Sequence, residues 1–122
     1  MQYMIVAAES EQDMAARKST EPGAFEAYMD PWFKYSTDMQ EAGVTLSGNA
    51  LETPDTATCV RVRDGKRHVQ DGPFTDTKEQ LGGYFIIDVP SFEAAKEWAA
   101  KCPAAATGLV ELRKVATLEG EN

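Results

Sequence analysis

A chain of 122 residues, 43% hydrophobic and 26% charged, has the size and composition of one globular domain built around a single core. A net charge of −8 with a pI near 4.6 repels phosphate backbones and argues against nucleic acid as a direct partner. No apolar run approaches the roughly 18 residues that cross a bilayer and no basic amphipathic helix is evident, so membrane roles drop out and a cytoplasmic location is expected.

The elements follow in chain order. Residues 3–8, an apolar run with no basic segment before it, read as a first strand and not as a signal peptide. Residues 9–23 read as a polar connection closed by the turn signal "EPG". Phe25, Tyr28, Trp32, Tyr35, Met39 and Ala42 then recur at spacings of three and four, the core stripe of a helix that stops at Gly43. Pro31 interrupts that pattern. With Asp30 as N-cap and Pro31 at the first helical position, a kink or a break before Pro31 is expected.

After a short strand near 44–46 and a loop with a candidate strand around Ala50 and Leu51, "TATCVRVRDGKRHVQ" carries the clearest hairpin signal. Asp64-Gly65 is a two-residue type I′ turn, and it sets Arg63 opposite Lys66, Arg61 opposite His68 and Val60 opposite Val69. One face then carries valines and the other Arg61, Arg63, Lys66 and His68. Residues 83–89 form an aromatic and β-branched strand. Ser91 caps a second helix that buries Phe92, Ala95, Trp98, Ala99 and Cys102 and ends at Pro103. Residues 109–116 alternate as a last strand with Leu109, Glu111 and Arg113 on one side, before an acidic tail at 117–122. Cys59 and Cys102 are 43 positions apart and read as small buried apolar residues, neither a disulfide nor a metal site.

Strand, helix, two or three strands, helix, strand is the order of an α+β, ferredoxin-like split βαβ unit with an extra central hairpin, one domain spanning residues 1–122. Two helices cover only one face of such a sheet. A homodimer joined through the uncovered face is therefore expected, with Arg61, His68 and Glu111 lining the cleft between subunits.

The blocks "RDGK", "DGPF", "TKEQLGG" and "EWAAKCPAA" within residues 56–106, together with "MQYMIVA", "AGVTLSGNALETP" and "VELRKV", resemble the YCII-related family in its DGPF branch. That resemblance implies a dimeric α+β barrel of ferredoxin-like subunits. For shorter members of the family it implies a catalytic His–Asp pair, and for the DGPF branch a role beside extracytoplasmic-function sigma factors. His68 is the only histidine here and lies in the hairpin, so the pair does not carry over.

In "DGPF", Gly72 permits a positive φ, Pro73 holds its predecessor out of the helical region, and Phe74 is expected to plug the loop into the core. Thr75 or Asp76 is expected to cap a short helical turn with Glu79 in capping-box spacing, and Gly82-Gly83 to reset the chain into its strand. Turn chemistry explains most of the motif. It does not require Asp71, Lys78, Glu79 and Tyr84 to gather near Arg61 and His68.

Two functions follow. The first, favoured because one histidine and no nucleophile, phosphate-loop or metal-ligand motif leave little catalytic machinery, is a noncatalytic ligand-binding or regulatory module. It would work without cofactor or metal through a small anionic ligand or a protein partner in transcription regulation. The second is a cofactor-independent lyase or isomerase of small acidic metabolites. Asp71 and His68 would be its acid and base, Arg61 would hold a substrate carboxylate, and Lys78, Glu79, Tyr84 and Glu111 would complete the ligand site.

Overall fold

The computed structural model describes residues 1–118; positions 119–122 of the expected acidic tail lie outside the described residues. In chain order the elements are β1 (Gln2–Glu9), α1 (Glu11–Lys18), α2 (Ala24–Glu41), β2 (Thr45–Ala50), a single 3-10 turn (Pro54–Thr56), β3 (Thr58–Arg63), β4 (Lys66–Asp71), β5 (Gln80–Asp88), α3 (Phe92–Lys101), α4 (Pro103–Thr107) and β6 (Leu109–Lys114). The main sheet is antiparallel in the order β2-β5-β1-β6, so β5 is inserted between β1 and β2. That is the split βαβ arrangement of the ferredoxin-like fold.

Strand alternation decides which face meets the helices. Tyr3, Ile5 and Ala7 of β1 are buried with Tyr35 and Met39 of α2, Ile87 of β5, and Ala95, Cys102 and Ala104 from the C-terminal helices. All the helical partners lie on the side to which Tyr3, Ile5 and Ala7 point. Burial keeps the Tyr35 hydroxyl protonated far above its ordinary range, and that hydroxyl donates to Trp98 O at 2.8 Å. Burial also pushes the Cys102 thiol up to about 11, which makes it the inert packing residue expected. Met4, Val6 and Ile86 point to the opposite, helix-free face and are half-buried there.

Two expectations about helix boundaries fail for physical reasons. The polar connection contains α1, whose N-cap Ser10 accepts a hydrogen bond from Asp13 N at 3.1 Å. Acids in its first turn and Arg17 and Lys18 in its last suit the helix dipole. Only Met14 of this helix is buried, so no apolar period announced it. The second is the break before Pro31, one of the two outcomes expected there: α2 runs unbroken for 18 residues from Ala24 to Glu41. Tyr35 and Met39 bury its second half, and this packing offsets the hydrogen bond that Pro31 cannot make.

The hairpin has the expected register, including Arg61↔His68 and Val60↔Val69, with Asp64 at φ 52° and Gly65 at φ 71°. It nevertheless forms its own two-stranded sheet, separate from the main one. Its valine face is left open, with Val60 59% and Val62 62% exposed. The loop that follows corrects the reading of "DGPF". Gly72 does adopt a positive φ of 109°, but Phe74 is 84% exposed and plugs nothing. No helical turn forms at Thr75 or Asp76. Gln80 Nε2 instead donates to Thr75 O and Thr77 O at 2.8 Å each, tying the loop to the start of β5.

Candidate functional site

The alternation that buries Tyr3, Ile5 and Ala7 delivers Glu9 to the same helix-covered face, where a carboxylate is out of place. Glu9 is 2% exposed, a buried charged residue among the core apolar ones. Three features hold it. Tyr28 of α2 donates its hydroxyl to Glu9 Oε1, and Arg17 of α1 donates from Nη1 to Oε2 at 3.3 Å. The third is a gap in the sheet. The β1–β5 register shifts between Ala7 and Ala8, and Gly82 of β5 lies against the Glu9 side chain at that irregularity. A Cβ on Gly82 would overlap the Glu9 carboxylate, and one on Gly83 would stand 2.9 Å from Asn49 O. The two glycines of "LGG" sit inside β5; they do not reset the chain before it, and they let strand and carboxylate approach.

Desolvation raises the Glu9 pKa above the ordinary 4.5, outweighing the opposing pull of Arg17. Glu9 lines a half-open cavity of about 220 Å³ between α2 and the β2–β5 edge. Tyr28, Met29, Trp32 and Phe33 wall it on the helix side, with Gly48, Asn49 and Phe85 opposite. Trp32 stacks toward Phe85 with ring centroids 6.5 Å apart at 17°. The aromatic stripe of α2 thus divides, Phe25 exposed, Tyr28 and Trp32 lining the cavity, and Tyr35 and Met39 filling the core. A buried carboxyl with a raised pKa beside a phenol, at the wall of a half-open cavity lined with aromatic side chains, can accept or deliver a proton to a bound molecule.

The residues singled out from sequence are placed differently. His68 and Asp71 are both exposed on β4, and a separation of three puts them on opposite faces of that strand. Arg61 faces His68 across the hairpin in solvent. Lys78 and Glu79 belong to the loop before β5, with Lys78 exposed. Glu111 is exposed on β6, its Oε2 3.6 Å from Arg113 Nε. Of these, Tyr84 alone borders the cavity just described, as part of β5; its pairing with Val6 turns its side chain to the helix-free face, where its hydroxyl accepts from Asn49 Nδ2 at 2.9 Å. Among the described residues, no group of three or more His, Cys, Asp or Glu side chains is placed to hold a metal ion, and no helix is long and apolar enough to cross a membrane.

Sequence reasoning missed Glu9, Arg17 and Tyr28 as a group. Two signals were present: an acid in phase with Tyr3, Ile5 and Ala7, and a glycine pair inside a strand, which marks close approach.

Comparisons agree with this architecture. Over its full length the chain matches the structure of 5-chloro-2-hydroxyhydroquinone dehydrochlorinase from Burkholderia phenoliruptrix AC1100, in complex with 2,5-dihydroxybenzoquinone. The TM-score is 0.55, both chains are covered completely, and at 13% identity the likeness is one of fold. An uncharacterized protein of Rhizobium meliloti (strain 1021) is 41% identical over 79 residues, which is 62% of this chain and 63% of that protein's own length. The family model described as the YCII-related domain matches residues 1–119, nearly the whole chain, and the chain therefore belongs to the YCII-related family.

Proposed function

We propose that this protein is a small acid–base enzyme of the lyase or isomerase type, with Glu9 as the proton-transferring group and Tyr28 and Arg17 holding it in place. The observation that carries this reading is a carboxyl 2% exposed in the wall of a ligand-sized cavity, with its pKa raised by burial. It reverses the order suggested by the sequence, where a module ranked above an enzyme for want of machinery. A dehydrochlorinase with the same fold lends support, because elimination needs a group that removes a proton.

The test is deuterium wash-in from D₂O, followed by NMR, on a mixed panel of small enolisable ketones and keto acids. Wild type is expected to exchange at least one substrate, Glu9→Gln to lose roughly 100-fold or more of that rate, and His68→Ala and Asp71→Asn to keep it. Loss of exchange in the hairpin variants with Glu9→Gln still active would return the chemistry to the hairpin. Absence of exchange from every substrate would leave the noncatalytic reading ahead.

The assembly we propose is a cytoplasmic homodimer joined through the helix-free face. Half-buried Met4, Val6 and Ile86 on that face and the open valines of the hairpin support it, since all lack cover within one chain. Sedimentation in the micromolar range is expected to give close to twice 13.4 kDa. A single-chain mass would contradict the dimer. The open hairpin is also the surface that favours a protein partner, the regulatory role implied for the DGPF branch.

A further inference from the structure

The charges around the cavity constrain its occupant. Of the described residues that line it, only Glu9 and Arg17 carry charge, and they are paired with each other. Arg17 has little to offer an incoming anion. Its Nη1 serves Glu9 Oε2 at 3.3 Å and Met14 Sδ at 3.7 Å, its Nη2 donates to Leu51 O, and its side chain is 14% exposed. A carboxylate entering here would lose part of its hydration and meet the Glu9 carboxylate with no free cation among the lining residues to balance it. An ammonium would have to be desolvated beside the Arg17 guanidinium for the sake of a carboxylate that is already paired.

The rest of the wall favours a flat apolar body. Trp32, Phe33, Phe85 and Met29 supply it, and Tyr28 and Glu9 provide one polar corner. The volume of about 220 Å³ exceeds the roughly 150 Å³ in which an engineered apolar cavity holds benzene. Past Ser36, Gly48 and Phe85 the space adjoins a second cavity reaching Thr45, whose buried Oγ1 has no hydrogen-bond partner. A ring with a second polar substituent can be accommodated along that line.

We propose that the cavity takes an uncharged, ring-sized molecule whose hydroxyl or carbonyl sits at Glu9 and Tyr28, and that it discriminates against carboxylates and amines of the same size. This rests on the cavity being the functional site, and it replaces the small anionic ligand expected from the sequence. The protein carries two tryptophans, so the Trp32 indole N–H resonance is assigned by its loss in Trp32→Phe, leaving that of Trp98. Phenol, benzoate and benzylamine are then titrated at pH 7.5. Phenol should shift the Trp32 resonance saturably in the millimolar range, and Tyr28→Phe should weaken it several-fold. Benzoate and benzylamine should bind at least 10-fold more weakly. Either charged probe binding as well as phenol would overturn the proposed ligand class while leaving the Glu9 cavity as the site. No response to any probe would overturn the inference outright. Deuterium wash-in, scored on ketones and keto acids alike, would still judge the acid–base reading separately.

Discussion

Gly82→Ala is expected to abolish the function of the cavity and lower the melting temperature by roughly 5 °C, the effect of about 1–2 kcal/mol of overpacking in a domain of this size. The added methyl would occupy the space of the Glu9 carboxylate, so Glu9 must swing away and give up both Tyr28 and Arg17. The backbone itself tolerates alanine, since Gly82 does not have a positive φ. A second background makes the cause testable. In Glu9→Ala the carboxylate is gone, and the Gly82 methyl would enter vacated space, so there the substitution should be neutral or stabilising. An equal loss in both backgrounds would show that Gly82 serves the strand alone.

Glu9→Gln is expected to stabilise the protein at pH values above the folded-state pKa of Glu9 while removing its activity. Glu9 has a folded-state pKa above its unfolded value, because burial penalises the charged form more than Arg17 favours it. A raised pKa means that the folded state binds the proton more tightly. The associated stability is fully present below 4.5 and is lost as pH rises through the folded value. Glutamine resembles the protonated acid at every pH and escapes that loss. The melting temperature of Glu9→Gln relative to wild type should therefore climb as pH rises from 4.5 through the folded value. A difference that is flat, or that falls with pH, would mean the ion pair with Arg17 dominates and Glu9 is a structural charge.

The fold was legible because its signals are local and periodic. Asp64-Gly65 fixed a hairpin register that holds pair by pair, and Ser91 caps α3 as its sequence proposes, accepting from Ala94 N at 3.1 Å. The failures come where tertiary packing overrides a local rule. Packing of Tyr35 and Met39 carries α2 through Pro31, and α1 is held by its cap, its charges and its contact with α2 without an apolar stripe. The site was hardly legible. Its three polar side chains come from a strand, from a helix without hydrophobic period and from a stripe that reads as core, and only strand pairing brings Gly82 under Glu9. Chemistry-bearing residue types clustered in the hairpin drew attention instead, although strand alternation alone separates His68 from Asp71.

The most direct measurement is the titration of the Glu9 carboxyl itself by ¹³C NMR, assigned by the loss of its resonance in Glu9→Gln. A midpoint above 4.5 that moves when phenol saturates the cavity is the expected result, since it would place a burial-stressed acid in contact with the ligand space. A midpoint at or below 4.5, unmoved by any cavity ligand, would contradict the assignment and leave Glu9 as a buried partner of Arg17 with no part in chemistry.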